Sequence, residues 1–319
     1  MTEETSAVTH LSVVMTTDQG EMSQTTGETG VTSSSSSGAA LYYFECFVVV
    51  IGIIGAAANG LILYALVASK QHNKHELIVN QNALDLYSCI FLVITYGMKL
   101  CNLHLTGSLG HWLCMFILSE NLLWSGLCGS FVNLTLIAIE RYLKVVHAIW
   151  SKNKLRKRMI YAAMACAWII GFVQLLAGFL TSAVVDGICF GYSFWKKPQY
   201  KMAYGIFFFV STYIIVIAIF IFCYGKILMA IRRQARVMAG HSAAGPSIAQ
   251  IQAHQIQTNV IKTMILVCAF YAIAWLPENI YFLLICLDRN LSLMDNAYYT
   301  TMFIAFLYIC TTRSTIEFL

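Results

Sequence analysis

Apolar residues run along the chain in seven long blocks, near 41–68, 77–101, 111–145, 158–182, 202–231, 257–286 and 296–319. An α-helix needs about 20 mostly apolar residues to cross a hydrocarbon core about 30 Å thick, and every block reaches that length. No block alternates with period two, so a membrane β-barrel is excluded. Polar clusters separate the blocks, such as Ser69 to His75, Trp150 to Arg158, and a stretch over 232–256 holding Arg232, Arg233, Arg236 and Pro246. The pattern predicts an all-α membrane protein, a seven-transmembrane helix bundle.

Composition sharpens this reading. Of 319 residues 59% are hydrophobic and only 11% charged, against about 25% charged in a soluble globular domain. Too little polar surface remains to face water on all sides, which excludes an ordinary soluble enzyme. The net charge of +5 matters through its placement, and no cluster reads as a nucleic-acid surface. Basic residues favour the cytoplasmic side of short loops. Fourteen of the twenty fall on one side: Lys70, Lys74, Arg141, Lys144, Lys152, Lys154, Arg156, Lys157, Arg158, Lys226, Arg232, Arg233, Arg236 and Lys262. This predicts an N-terminus outside and a C-terminus in the cytoplasm. Residues 1–40 are Ser/Thr-rich, carry five acids and no Lys or Arg, and read as a disordered extracellular tail. Residues 41–319 then form the membrane domain. Of two glycosylation triplets, Asn290-Leu291-Ser292 falls in the last outer loop and Asn133-Leu134-Thr135 inside the third span.

Polar residues inside spans are costly and mark function by default. Here they are Asn59 in the first span, Asp85 in the second, Ser130 and Glu140-Arg141-Tyr142 in the third, Trp168 in the fourth, Tyr224 in the fifth, and Trp275-Leu276-Pro277 in the sixth. In order and spacing, from residue 41 to about 310, the chain resembles the rhodopsin-like (class A) G-protein-coupled receptors. The resemblance implies a plasma-membrane receptor, not an enzyme, with an extracellular ligand, a heterotrimeric G protein and the lipid bilayer as partners.

Site residues follow from the same resemblance. Glu140, Arg141, Tyr142 and Tyr224 would form the G-protein switch, with Arg141 held at rest by its acidic neighbour. Asn59, Asp85 and Ser130 would converge on a sodium ion, the one metal implied; a protonated Asp85 bonded to its neighbours is the alternative. Tyr271, Trp275 and Pro277 would make the toggle and kink of the sixth span. Cys114 lies 27 residues before Arg141, about 40 Å of continuous helix, which puts it at the outer face. Cys189 falls in the outer loop between the fourth and fifth spans, and the family carries this disulfide; the alternative is two buried free thiols among the eleven cysteines.

The ligand pocket is expected at Glu120, Asn121, Leu123, Trp124, Glu278, Asn279 and Phe282. Counting from Arg141 selects Leu123 as the position where aminergic receptors have Asp; counting from Cys114 selects Asn121. Neither is an acid. Glu120 and Glu278, with Asp288 and Asp295 at the rim, suggest a cationic, peptide-like ligand; solvated rim acids are the alternative. No cofactor is implied, and retinal is excluded because the last lysine is Lys262. A transporter or channel is the rival class, though no internal repeat supports it. Three departures from the family stand out. Val216 replaces a fifth-span proline, which puts that span's bulge in doubt. Gln257 stands where many members carry an acid that locks the third span to the sixth. No recognisable NPxxY precedes Leu319, so the C-terminal tail reads as missing, with a truncated, non-signalling receptor product as the alternative to a signalling one.

Overall fold

The computed structural model describes residues 32–70, 75–240 and 248–287. The expected seventh span, the triplet at Asn290, Asp288 and Asp295 lie outside the described residues, as does the side chain of Gln257. By its contacts the chain divides into Met1–Leu41 and Tyr42–Leu319. In the first unit the described residues, from Thr32 on, are helical.

Six helices among the described residues are long and apolar enough to cross a membrane: Leu41–Ala68, Glu76–Leu100, Gly107–Val146, Lys157–Thr181, Pro198–Gln234 and Ile261–Leu287. The third span is the most buried and forms the axis. Leu123, Leu127, Phe131 and Ile137 on it pack with Leu92, Tyr213, Ile227, Tyr271 and Trp275. The other spans turn apolar side chains outward, including Ile54, Leu61, Ile169, Val173, Ile221 and Ile273, where a soluble protein would carry charge. Glycine allows the third and fourth spans to touch. A Cβ on Gly171 would run into the Ser125 carbonyl and sit 2.9 Å from the Gly129 amide, the small-residue contact common between membrane helices.

Two spans are not continuous α-helices. The third runs as α-helix over Gly107–Leu113, as a π turn over Cys114–Leu118, and again as α-helix over Asn121–Val146. Between the last two, Glu120 is left-handed, with φ 63°. The expected unbroken 40 Å rod from Cys114 to Arg141 is therefore corrected. A π turn holds more residues than an α turn, and with the kink it absorbs length between Cys114 and Arg141. The break precedes Asn121, so Asn121 to Arg141 lie on one continuous helix, on which Leu123 is fully buried.

The fifth span carries a π turn at Val210–Ile214 without any proline. Hydroxyl groups hold it instead. Thr212 Oγ1 and Ser211 Oγ donate to the Phe208 carbonyl at 2.7 and 3.2 Å, and the Tyr271 hydroxyl donates to the Thr212 carbonyl at 2.6 Å. Carbonyls loosened by the wider turn thus keep partners. A hairpin of β1 (Ala183–Val185) and β2 (Ile188–Phe190) joins the fourth and fifth spans. Its turn is Asp186-Gly187, both at positive φ, the dipeptide that two-residue hairpins favour.

Candidate functional site

At one end of the bundle Cys114 and Cys189 form a disulfide, which ties β2 to the third span. Beneath it the third-span break is braced by side chains. Asn121 Nδ2 donates to the Met115 carbonyl at 2.8 Å and to Ser119 Oγ at 2.9 Å, and its Oδ1 accepts from the Tyr192 hydroxyl at 2.9 Å. Burial, then the neighbouring Tyr204, holds that hydroxyl well above the usual phenol value, so it stays a donor. Left-handed Glu120 is fixed by an ion pair with Lys99 and by Trp124 Nε1 at 3.3 Å. Trp124 meets Trp275 edge to face at 6.0 Å, and Phe131 meets Trp275 at 4.8 Å and Tyr271 at 5.1 Å.

The predicted pocket residues therefore gather around the toggle. Asn279 donates to the Trp275 carbonyl at 2.8 Å, and its Oδ1 lies 3.0 Å from Thr212 Oγ1, whose one hydrogen it shares with the Phe208 carbonyl. Phe282 packs among Tyr192, Tyr204 and Phe208. The two acids are buried, not solvated at a rim: Glu120 is 6% and Glu278 5% exposed. They differ in partners. Glu120 pairs with Lys99, whereas among the described residues Glu278 has no ion pair and its Oε2 is buried with no hydrogen-bond partner. Pro277 interrupts the hydrogen bonding of the long helix Ile248–Leu287 one residue before Glu278.

In the middle of the bundle Ser130 Oγ donates to Asp85 Oδ1 at 2.7 Å. The second group on that carboxylate is one the sequence did not single out. Gln81, one helical turn before Asp85, donates from Nε2 to Asp85 Oδ1 at 3.1 Å and also to Ser130 Oγ. Asn59 was expected here, but its Nδ2 donates within its own helix to the Gly55 carbonyl at 2.9 Å, and its Oδ1 has no partner. A sodium ion needs oxygen lone pairs turned toward it. Here the Ser130 hydroxyl is turned to Asp85, the Gln81 amide presents hydrogens, and no hydrogen bond joins Asn59 to either. Among the described residues, Asn59, Asp85 and Ser130 do not fit a shared sodium site. Three adjacent amides, Asn80-Gln81-Asn82, inside an apolar span were the available signal.

At the opposite end Glu140 was expected to hold Arg141. The structure pairs Glu140 with Lys144 instead, Nζ to Oε1 2.7 Å, one turn apart on the same helix. No ion pair joins Arg141 among the described residues, and its Nε is buried without a partner. The correction has a geometric reason: adjacent residues point about 100° apart around a helix, while residues four apart share a face. Tyr142 donates to or accepts from His147 Nε2 at 3.0 Å, and Tyr224 is buried within electrostatic reach of Arg141. His75, just outside the second span, is held below the usual imidazole value by burial, then by the positive charges of Arg141 and Lys144. The short helix Ala148–Lys154 beside them exposes Ile149 and Trp150.

Residues 58–316 match the family described as 7 transmembrane receptor (rhodopsin family). Among similar proteins, galanin receptor type 1 of Homo sapiens is 23% identical over 247 residues, 73% of this chain and 65% of that receptor. The allatostatin-A receptor of Bombyx mori is 24% identical over 259 residues, 75% of this chain and 65% of that receptor. The substance-K receptor of Bos taurus is 21% identical over 262 residues, 80% and 66% respectively. The chain thus spans slightly less than two thirds of the length of these relatives. Long apolar helices around a buried third span, the Cys114–Cys189 bond and a family match running from the first span nearly to the last residue agree: the chain belongs to the rhodopsin family of seven-transmembrane receptors, which are not enzymes.

Proposed function

We propose that the chain is a plasma-membrane receptor. It takes a cationic, peptide-like ligand from outside at the disulfide end and activates a heterotrimeric G protein at the Arg141 end. The placement of basic residues supports this orientation, since Arg141, Lys144, Lys152, Lys154 and Lys157 share one end. The relatives named above are peptide receptors, which supports the ligand class. On the G-protein side, Glu140 pairs with Lys144 and not with Arg141, and the short helix Ala148–Lys154 that follows the third span exposes the apolar Ile149 and Trp150, a surface suited to a protein partner.

The observation that carries the ligand reading is Glu278, whose Oε2 is buried without a hydrogen bond among the described residues. A buried carboxyl group so placed in a bilayer-spanning helix is expensive, and a ligand cation removes that cost on binding. Trp124, Trp275 and Phe282 nearby offer apolar and cation–π contact. The test uses synthetic peptides carrying one Lys or Arg, each beside a norleucine counterpart, read by nucleotide exchange on a co-expressed Gα. Charged peptides are expected to act at lower concentration than their neutral counterparts. Glu278→Gln should weaken them by at least about 30-fold, the low end of losing a buried charge pair, while surface level holds or rises. Equal potency of charged and neutral peptides, or a Glu278→Gln receptor with unchanged potency, would remove the cation from the proposal.

A further inference from the structure

We infer that the amide of Gln81 is the resident counter-group of Asp85, and that this receptor therefore has no sodium dependence at its central site. The argument rests on a directed chain of hydrogen bonds. The indole of Trp168 can only donate, and its Nε1 donates to Asn80 Oδ1 at 3.0 Å. That fixes the orientation of Asn80, whose Nδ2 then donates to Asn133 Oδ1 at 2.8 Å. Asn133 in turn directs its Nδ2 to Gln81 Oε1 and to the Leu77 carbonyl, both at 2.9 Å. With its oxygen engaged there, Gln81 has only hydrogens left to turn toward Asp85 Oδ1, Asp85 Oδ2 and Ser130 Oγ.

Flipping any one amide in this series would set oxygen against oxygen at the next link, so the direction is fixed from the fourth span to the carboxylate. Tyr87 keeps Trp168 in place by edge-to-face contact at 5.4 Å. Gln81, Asn80 and Asn133 are all buried, so water does not compete for their donors. A sodium ion beside Asp85 would face the positive ends of the Gln81 N–H bonds. The same donors lie on the carboxylate oxygens that a cation would otherwise take.

The experiment compares thermal unfolding of the purified full chain in detergent, in sodium chloride and in choline chloride at equal concentration. The wild-type midpoint is expected to be the same in both salts. Gln81→Leu removes the amide donors and leaves Ser130 Oγ in place on the carboxylate. Its midpoint should rise by about 2–4 °C in sodium over choline, as for a ligand near ten times its dissociation constant. Adding Asp85→Asn should abolish that rise. Gln81→Met, which keeps the length and loses the amide, replaces Gln81→Leu if that variant does not fold. A wild-type chain stabilised by sodium over choline, with the effect lost in Asp85→Asn, would overturn the inference without any Gln81 variant. Folded Gln81→Leu or Gln81→Met protein with no sodium response would overturn it too, because the amide would not be what excludes the ion.

Discussion

Replacing Cys114 or Cys189 with alanine is expected to remove most of the receptor from the cell surface, with the double substitution no worse than either single one. The bond joins residues 75 positions apart. In the chain-entropy account, a cross-link closing a loop of that length disfavours the unfolded chain by about 4 kcal/mol, a large share of the 5–15 kcal/mol typical of a folded domain. Its local role adds to this. Cys189 sits on β2 opposite Val184, so without the bond the hairpin is no longer tied to the third span above the break at Glu120. Either single substitution breaks the same bond and leaves a thiol near that surface, which is why the double variant should fare equally well or better. Surface labelling of intact cells checks the result. Normal surface level in the single variants would contradict it, as would alkylation of both cysteines in the native protein.

Asn133→Ala is expected to be the most damaging single change in the middle of the bundle. Asn133 accepts from Asn80 and donates to both Gln81 and the Leu77 carbonyl. Its loss takes these partners from the buried Asn80 Nδ2 and Gln81 Oε1, each at about 1–3 kcal/mol, while the Leu77 carbonyl keeps the bond of its own helix. Allowing for relaxation, the sum is about 3–5 kcal/mol, a fall in unfolding midpoint of roughly 10 °C. Asn59→Ala is the internal control. Asn59 makes one hydrogen bond, within its own helix, and already leaves its oxygen unpaired, so about 1 kcal/mol is expected there. Equal midpoints for the two variants would show that the relay does not act as a connected unit.

The bundle was legible because its signal is long and uninterrupted: each span is a run of apolar residues set by bilayer thickness, and the interruptions carry charge. The breaks within spans were not legible. Nothing local at Ser119-Glu120 announces a left-handed residue; it is held by Lys99, 21 residues earlier, and by Trp124. The fifth-span bulge was doubted for want of proline, yet threonine, serine and tyrosine hydroxyls satisfy its carbonyls. At the switch, the resemblance directed attention to neighbours in sequence, Glu140 and Arg141, while helical spacing already favoured Glu140 with Lys144. Around Asp85 the resemblance supplied Asn59 and Ser130 and obscured Gln81, although Gln81 and Asp85 lie four residues apart on one face. The pocket acids were visible as residues; which of them lacks a partner depended on tertiary contacts with Lys99.

Signalling by this chain is tested most directly without any ligand, because Glu140 is engaged by Lys144 and leaves Arg141 unpaired among the described residues. An ion-paired Arg141 would hold the resting state by about 1.5–3 kcal/mol, against about 1 kcal/mol for a neutral contact. Without that pairing the resting equilibrium moves toward the active form by roughly tenfold. The measurement is ligand-independent nucleotide exchange on a co-expressed Gα, in membranes containing the chain, its Arg141→Ala variant, or neither. The account predicts exchange above the empty membranes for the wild-type chain and exchange at their level for Arg141→Ala at equal expression. Wild-type exchange no greater than that of Arg141→Ala would contradict the assignment of this end of the bundle to a G protein.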